Sequence, residues 1–433
     1  MPVVPDWSGP LVGTGMNAML LLLLQLVLVL ASAKACGAVL RHLGQPPVIG
    51  EMAAGLLLGP LVFGAWLPEA HAAMFPAASL PVLSGLGTLG VTLFMFIIGV
   101  ELRAPEGSRS QVRAAVGIGG FGIALPFALG LAIAPTLYRS FAPEGIGYWP
   151  FAMFIAAAIS VTAFPVLARI LRDRAMTRTT PGRLALGAGL VNDAVVWIFL
   201  AGVVALSGSG PASGVGFTVL GAVALVAVVF GLLRPLYARL LRPVALDGEP
   251  RASALVPVLL GLLGCAAIAE WIGLHAIFGA FLFGVSLPRD DRLLRWFAHR
   301  IEPLAIGLLM PVMFVMAGQH ATPDAFGSAG LGAFGLVLLV AIAGKLVGCA
   351  AGARLNGHGW RDSLAVGSLM NARGLMELIV IRIGYDAGLI GPQLFTMLFA
   401  VTLVTTVMAS PLLALIYHRA PEQATAAAVE RTP

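Results

Sequence analysis

The stretch SVTAFPVLARIL (160–171) interrupts a long apolar segment with Pro165 and, just before it, Ser160 and Thr162. Proline lacks a backbone N–H and leaves a helical carbonyl without its donor. A helix with this sequence would therefore present unpaired backbone groups near its centre, where they could face an ion or a water-filled cavity. A simple kink at the proline is the alternative interpretation.

A second apolar segment is interrupted in a similar way. The stretch SLMNARGLMEL (368–378) carries an amide, a cation and a glycine near its middle, at Asn371, Arg373 and Gly374. A pair of such segments is harder to explain by unrelated kinks than either one alone. The two stretches together predict two discontinuous helices.

Composition identifies the medium around these helices. Of the 433 residues, 59% are hydrophobic and only 11% are charged, whereas about a quarter of a soluble globular chain is charged. Glycine and proline are spread through the apolar segments, as membrane helices tolerate. The sequence therefore predicts an all-α polytopic membrane protein and argues against a water-soluble enzyme.

Crossing about 30 Å of hydrocarbon takes at least roughly 17 helical residues. Thirteen windows meet this length within the uncertainty of their ends: 16–40, 48–64, 80–100, 113–137, 149–171, 182–207, 213–233, 252–270, 272–287, 299–318, 328–353, 361–385 and 390–417. An offset of seven spans pairs the first six with the last six in opposite orientation, which is the inverted repeat of many secondary transporters. Under that offset the two broken segments correspond to each other.

The basic residues support this count. All but five of the 26 lysines and arginines fall on one face when the loops alternate between the two sides. By the positive-inside rule, the tail 1–15 lies outside and the tail 419–433 is cytoplasmic, on either side of one membrane domain, 16–418. The basic residues occupy short loops and form no single exposed face, so we expect no nucleic-acid partner.

Asp193 is the acid that lies deepest in a predicted span. It lies near the middle of the segment GAGLVNDAVVW (187–197), beside Asn192. An ionisable group at the membrane centre costs several kcal/mol and is a functional candidate by default. A carboxylate that holds either H⁺ or a metal cation, but not both, is the minimal device for exchanging them. A buried Asp that only bonds a neighbouring helix is the structural alternative.

Lys345 lies inside the eleventh span, in a chain that has 26 basic residues but uses lysine at only one other position, Lys34. A buried ammonium can lose its proton, whereas a guanidinium stays charged. Lys345 is therefore a candidate for proton coupling. A fixed counter-ion that holds two helices together is the other interpretation.

Three further charged residues receive structural or secondary roles. Arg373 and Glu377 are four residues apart on one helical face and can neutralise each other in part. Glu51 opens the second span, where an interfacial carboxylate is ordinary, and a role in ion access stays open.

Several stretches together resemble the monovalent cation:proton antiporter-2 family, especially its plant cation/H⁺ exchangers and their bacterial relatives. The resemblance covers roughly residues 20–418 and rests on GQPPVIGEMAAGLLLGP (44–60), SVTAFPVLARIL (160–171), GLVNDAVVW (189–197), GLHAIFGAFLFG (273–284) and MNARGLMELIV (370–380).

The resemblance implies a Na⁺/H⁺ antiporter-like fold whose two broken helices cross, in a homodimer in the bacterial inner membrane. A dimer part (16–100 and 252–318) would stay fixed while a core part (113–207 and 328–417) moves, the two joined by a linker helix (213–240). Transport of Na⁺ or K⁺ against H⁺ would be of the elevator type. No cofactor is expected, and the partners would be the transported cation, H⁺ and membrane lipid.

Residue by residue, the resemblance makes Asp193 the shared site for the proton and the transported metal cation. Asn192 would be its neighbour, Lys345 would face them, and Ser160 and Thr162 would supply oxygens. Electrogenic members carry two adjacent aspartates where this chain has Asn192 and Asp193, and the first of them pairs with the lysine. Stoichiometry therefore stays open, as does the choice between Na⁺ and K⁺.

Other functions stay open at this stage. A sodium-coupled solute symporter of the same architecture would need a sizeable polar pocket, and its Asp193 would bind Na⁺ without titrating. An intramembrane protease with two aspartates is disfavoured because only one aspartate lies well inside a span. A passive channel would conduct without counter-movement of protons.

Overall fold

The computed structural model of the chain describes residues 17–101, 109–174, 176–177, 179–206, 215–246, 255–288 and 290–417. Both tails of the predicted topology, 1–15 and 419–433, lie outside the described residues.

The described residues form α-helices joined by short turns. In chain order the helices are α1 Ala18–His42, α2 Pro47–Leu58, α3 Pro68–Met74, α4 Leu80–Glu101, α5 Arg109–Phe141, α6 Tyr148–Ser160, α7 Phe164–Asp173, α8 Thr180–Leu206, α9 Val215–Val228, α10 Arg234–Leu246, α11 Leu255–Trp271, α12 Ala276–Ser286, α13 Asp291–Leu304, α14 Met310–Gln319, α15 Ser328–Leu355, α16 Trp360–Met370, α17 Leu375–Asp386 and α18 Pro392–Tyr417. Single π-helical turns extend α2 and join α9 to α10 and α13 to α14.

Helix length and composition agree with an integral membrane protein. Among the described residues, nine helical stretches of 18 residues or more are apolar enough to cross a bilayer, and three shorter helices, α6, α11 and α12, are also apolar. Every predicted span coincides with a helix or a pair of helices. The total of thirteen crossings stays a prediction, since several of the pieces, such as the 11 residues of α12, are short.

Both predicted breaks are present. Helix α6 ends at Ser160 and α7 begins at Phe164, while α16 ends at Met370 and α17 begins at Leu375. The two breaks meet directly, because the backbone N–H of Ala163 donates to the carbonyl of Ala372 at 3.2 Å. The discontinuous helices therefore cross at their unwound centres, as the resemblance implied.

The sequence explains where each break lies. Pro165 occupies the first turn of α7, where its missing N–H would have no partner within the helix anyway. The proline thus begins the second half-helix, and the unwound residues lie before it. In the other break Gly374 has φ 145°, a conformation that side-chain-bearing residues rarely adopt.

The boundary between the eighth and ninth predicted spans differs slightly from the structure. The predicted ninth span starts at residue 272, whereas α12 begins at Ala276. The carboxylate of Glu270 accepts from the Ala276 N–H at 2.7 Å and so caps the helix. The turn before it includes His275, whose φ is 73°.

Buried apolar side chains form three clusters within the described residues. The largest is built mainly from α5 to α8 and α15 to α18, also includes residues of α2, α4, α12 and α14, and encloses both breaks. A second cluster joins α4 with the five consecutive helices α9 to α13. The third lies among α1, α2, α4 and α14. The crossing therefore lies inside the largest apolar cluster.

His320 follows the last residue of α14 and packs its ring against Tyr385 and Phe395, at centroid distances of 4.8 and 5.9 Å. Burial, assisted by the nearby Arg382 guanidinium, lowers the pKa of His320 to about 4. An unfolded histidine binds a proton below pH about 6.5. Between pH 6.5 and 4 the unfolded chain thus holds a proton that the folded chain lacks.

We therefore expect the protein in detergent to lose stability as the pH falls through this window, by at most about 1.4 kcal/mol per pH unit from this group. Thermal unfolding measured between pH 7.5 and 4 should show a shallower loss for His320→Gln. His299→Gln, which changes an exposed histidine, is the matched control. Equal slopes for wild type and His320→Gln would contradict this assignment.

Candidate functional site

The site is built where the middle of α8 faces the break between α6 and α7. Asn192 of α8 is fully buried and connects the two ends of that break. Its side-chain oxygen accepts from the Thr162 N–H at 3.0 Å, and its amide nitrogen donates to the Ser160 carbonyl at 3.3 Å. The Asn192 side chain thus supplies hydrogen-bond partners to backbone groups that have no helical partner in the break.

The two hydroxyl residues of the break are also buried. Thr162 donates its hydroxyl to the Met370 carbonyl at 3.2 Å, which ties the first break to the second. Ser160 donates to the Ala156 carbonyl one turn back at 2.7 Å. The hydroxyl protons of both residues are thus engaged with backbone, and their oxygen lone pairs still have accepting capacity.

Asp193 is 3% exposed and lies beside the start of α7. Its carboxylate interacts with the backbone N–H of Phe164, the first residue of that half-helix. A helix N-terminus offers unpaired N–H groups and the positive end of the helix dipole, which favour an anion. One carboxylate oxygen, Oδ2, is buried and has no hydrogen-bond partner among the described residues.

Lys345 lies in α15 with its side chain fully buried. It interacts electrostatically with Asp193, and also with Arg373 and Glu377. Within the described part of the chain its Nζ has no hydrogen-bond partner. The structure thus brings the predicted acid and the predicted lysine into one buried cluster.

Arg373 occupies the opposite end of the break. It is fully buried and pairs with Glu377 at 2.7 Å. Its guanidinium also donates to the Ile159 carbonyl at 2.6 Å, with longer contacts to the carbonyls of Ala158 and Ala341. A cation at the C-terminal end of α6 complements the negative end of that half-helix.

Asn371 and Glu51 are two further polar residues that the sequence placed within a predicted span. Asn371 lies in the second break, fully buried, and neither of its amide atoms has a partner among the described residues. The sequence located it in the break without giving it a role. Glu51 lies in α2, which packs mainly on α1 and α14.

The cluster has the chemistry of a site for a small cation. It contains the Asp193 carboxylate with its unpaired oxygen and the Lys345 ammonium. The side-chain hydroxyls and the backbone carbonyls of the break add further oxygens. Hard monovalent cations take oxygen ligands, and a proton can occupy the same carboxylate. A group of three or more His, Cys, Asp or Glu side chains, as a bound transition metal would need, does not occur among the described residues.

A family model described as "Sodium/hydrogen exchanger, transmembrane" matches residues 27–417. The chain belongs to this sodium/hydrogen exchanger family. The match covers both breaks, α8 and α15, so every residue of the buried cluster lies within the family domain. This family is one of transporters.

Several curated antiporters are similar to the chain along most of its length. The Na(+)/H(+) antiporter NhaS4 of Synechocystis is 34% identical over 403 residues, covering 93% of this chain and 98% of that protein. Cation/H(+) antiporter 17 of Arabidopsis thaliana is 36% identical, and K(+)/H(+) antiporter 1 of Saccharomyces cerevisiae is 33% identical. These two matches include 93% and 86% of this chain, respectively. They span only 49% and 44% of the two relatives, which are longer proteins.

The fold of the family member described here is also found in a solved structure. The sodium proton antiporter MjNhaP1 from Methanocaldococcus jannaschii superposes with a TM-score of 0.66, at 15% identity, over 93% of this chain and 97% of that one. This likeness establishes the Na⁺/H⁺ antiporter-like fold with its two crossing broken helices. The resemblance drawn from sequence motifs is confirmed at the level of family and fold.

Proposed function

We propose that the protein is a secondary active antiporter that exchanges Na⁺ or K⁺ for H⁺. One observation carries this proposal most directly. Asp193, buried at the crossing of two broken helices, has a carboxylate oxygen without a partner in the described structure. Such a group binds either a proton or a cation, and competition between them couples the two fluxes.

In this mechanism the cation binds Asp193 after the proton leaves. The Phe164 N–H holds the carboxylate in place, and oxygens of the two breaks complete the cation's ligands. Asn192 keeps the break open at the required width, because it is hydrogen bonded on both sides of it. Arg373 neutralises the facing helix end and does not contact the cation.

Lys345 provides a second charge in the same cluster. When the cation arrives, the ammonium repels it, and release of a proton from Lys345 would remove that repulsion. One or two protons could thus move per cycle. This chain has an amide at Asn192 beside the acid, so the lysine has only one acidic neighbour at this point of α8.

Alternating access would follow an elevator mechanism. The core part (113–207 and 328–417) would slide against the dimer part (16–100 and 252–318), with residues 213–240 as a linker and a second copy of the chain completing a homodimer. The second apolar cluster supports this division, because its buried residues come from α4, α9 to α13 and the turns that adjoin them, with none from the core part. The membrane would be the bacterial inner membrane, with the N-terminus outside.

The purified protein in liposomes tests the proposal. With an imposed pH gradient, addition of Li⁺, Na⁺, K⁺ or Rb⁺ should dissipate the gradient, and clamping the membrane voltage separates electroneutral from electrogenic exchange. We expect Na⁺ or K⁺ to elicit proton movement that protein-free liposomes lack. Proton movement independent of every cation, with accumulation of an organic solute, would instead indicate the symporter. Cation flux without proton counter-movement would indicate a channel.

A further inference from the structure

A second polar site, whose lining includes none of the residues of the buried cluster, lies in a small open cleft of about 40 Å³. Its walls are α4, α14, α17 and the start of α12. Polar and charged groups occur on three of these walls: Ser84 and Thr88 on α4, His275 before α12, and Arg382 and Asp386 on α17.

The cleft follows a boundary within the molecule. Helices α4, α12 and α14 belong to the proposed dimer part, whereas α17 belongs to the proposed core part. Arg382 reaches across this boundary, and its guanidinium contacts the Ser84 hydroxyl at 3.5 Å. The guanidinium therefore lies at the boundary between the two proposed parts.

Asp386, on the same helix, fixes the position of the Arg382 guanidinium. Asp386, one turn further along α17, accepts from the Arg382 Nε at 2.9 and 2.7 Å through its two carboxylate oxygens. The side chains are 24% and 38% exposed, so water and ions reach the pair. Its positive and negative charges are therefore balanced within the cleft.

The other titratable groups near the pair contribute little positive charge at neutral pH. Burial lowers the pKa of His275, in the turn before α12, against the opposing effect of Glu270 and Asp386. The pKa of His320 is lowered to about 4, so both rings are neutral at pH 7. Glu270 is mostly exposed, and its carboxylate caps α12. Arg382 and Asp386 thus set the charge of the cleft.

We infer that this cleft is an access path for the transported monovalent cation and that the Arg382–Asp386 pair sets the electrostatic potential along it. This inference rests on the proposed exchange function and adds a specificity-determining pair outside the ion site. A cleft lined by one sign of charge raises the local concentration of the opposite ion. In the wild type the balanced pair neither attracts nor repels the cation strongly.

Opposite results follow from removing either charge. Arg382→Gln leaves Asp386 uncompensated, so the apparent KM for the cation should fall roughly 2- to 10-fold, as expected for one unit charge several ångströms from the path. Asp386→Asn leaves Arg382 uncompensated, and the KM should rise by a similar factor. The double variant should return near the wild-type KM, and Arg382→Lys should retain it.

The test measures cation-dependent proton movement at pH 7.5 in oriented membrane vesicles, with the cation added to one face at a time. The KM shifts should appear only at the face to which the cleft opens, while the maximal rate changes little. Arg300→Gln removes an exposed guanidinium that stacks on Trp296 in α13 and should leave the KM at that face unchanged.

The inference fails if both single variants shift the KM in the same direction, or if neither shifts it while the wild type exchanges normally. A merely structural role of the pair would lower the maximal rate of both variants without opposite KM changes. Absence of cation-dependent exchange in the wild type would instead overturn the proposed function itself.

Discussion

Asp193→Asn should reduce cation-driven proton movement in liposomes to the level of protein-free liposomes. The amide oxygen can still interact with the Phe164 N–H at the start of α7. The amide cannot, however, carry a negative charge or exchange a proton in the relevant pH range. The substitution thus removes the chemistry while keeping the size of the side chain.

Asp324→Asn provides a matched control, because it makes the same chemical change at an exposed aspartate in the turn before α15. Both variants should elute from a sizing column as the wild type does and melt at a similar temperature. If correctly folded Asp193→Asn protein exchanged cations for protons at the wild-type rate, the shared-site mechanism would be wrong.

Arg373→Ala should be the most destabilising single change in the crossing. It removes the donor that serves the Ile159 carbonyl and leaves Glu377 as a buried charge without its partner. Breaking a buried pair by removing one member typically costs about 3–5 kcal/mol. We expect a markedly lower melting temperature in detergent and poor recovery of folded protein.

A double variant distinguishes charge from packing. Arg373→Met with Glu377→Leu removes both charges and fills most of the space, so it should melt at a higher temperature than Arg373→Ala. Arg382→Ala, which removes a partly exposed arginine with its own i,i+4 partner, is the control and should lose about 1 kcal/mol or less. A melting temperature of Arg373→Ala equal to that of Arg382→Ala would contradict the role assigned to Arg373.

Much of the architecture was predictable because the membrane limits the possibilities. Backbone groups in hydrocarbon must be satisfied internally, so apolar length gives the helices and interrupted segments give the breaks. The pairing of 160–171 with 368–378 followed from the count of spans. The start of α12 was not predictable from hydropathy, since the side-chain cap from Glu270 fixes it.

The sequence indicated which residues form the candidate site, but not which hydrogen bonds their side chains make. Asp193, Lys345 and Arg373 stood out because charges are costly in a membrane. The sequence suggested that Ser160 and Thr162 supply oxygens to a cation, which stays a prediction, and the structure adds that both hydroxyls donate to backbone carbonyls. Such bonds depend on where the breaks end, which no residue pattern specifies.

The sequence contains part of the signal for the cleft pair. Arg382 is a cation within a predicted span, where a charge needs a partner, and Asp386 lies four residues further along the chain. That spacing places the two side chains on one face. The contact with Ser84, almost 300 positions away, required the fold.

The double anchorage of Asn192 limits how such a transporter can change its charge balance. An aspartate at this position could still accept from the Thr162 N–H, yet it could no longer donate to the Ser160 carbonyl unless it were protonated. Evolution toward a second acid here would therefore require a new donor for that carbonyl. Under the proposed exchange, the number of charges moved per turnover would thus depend on which group donates to the Ser160 carbonyl.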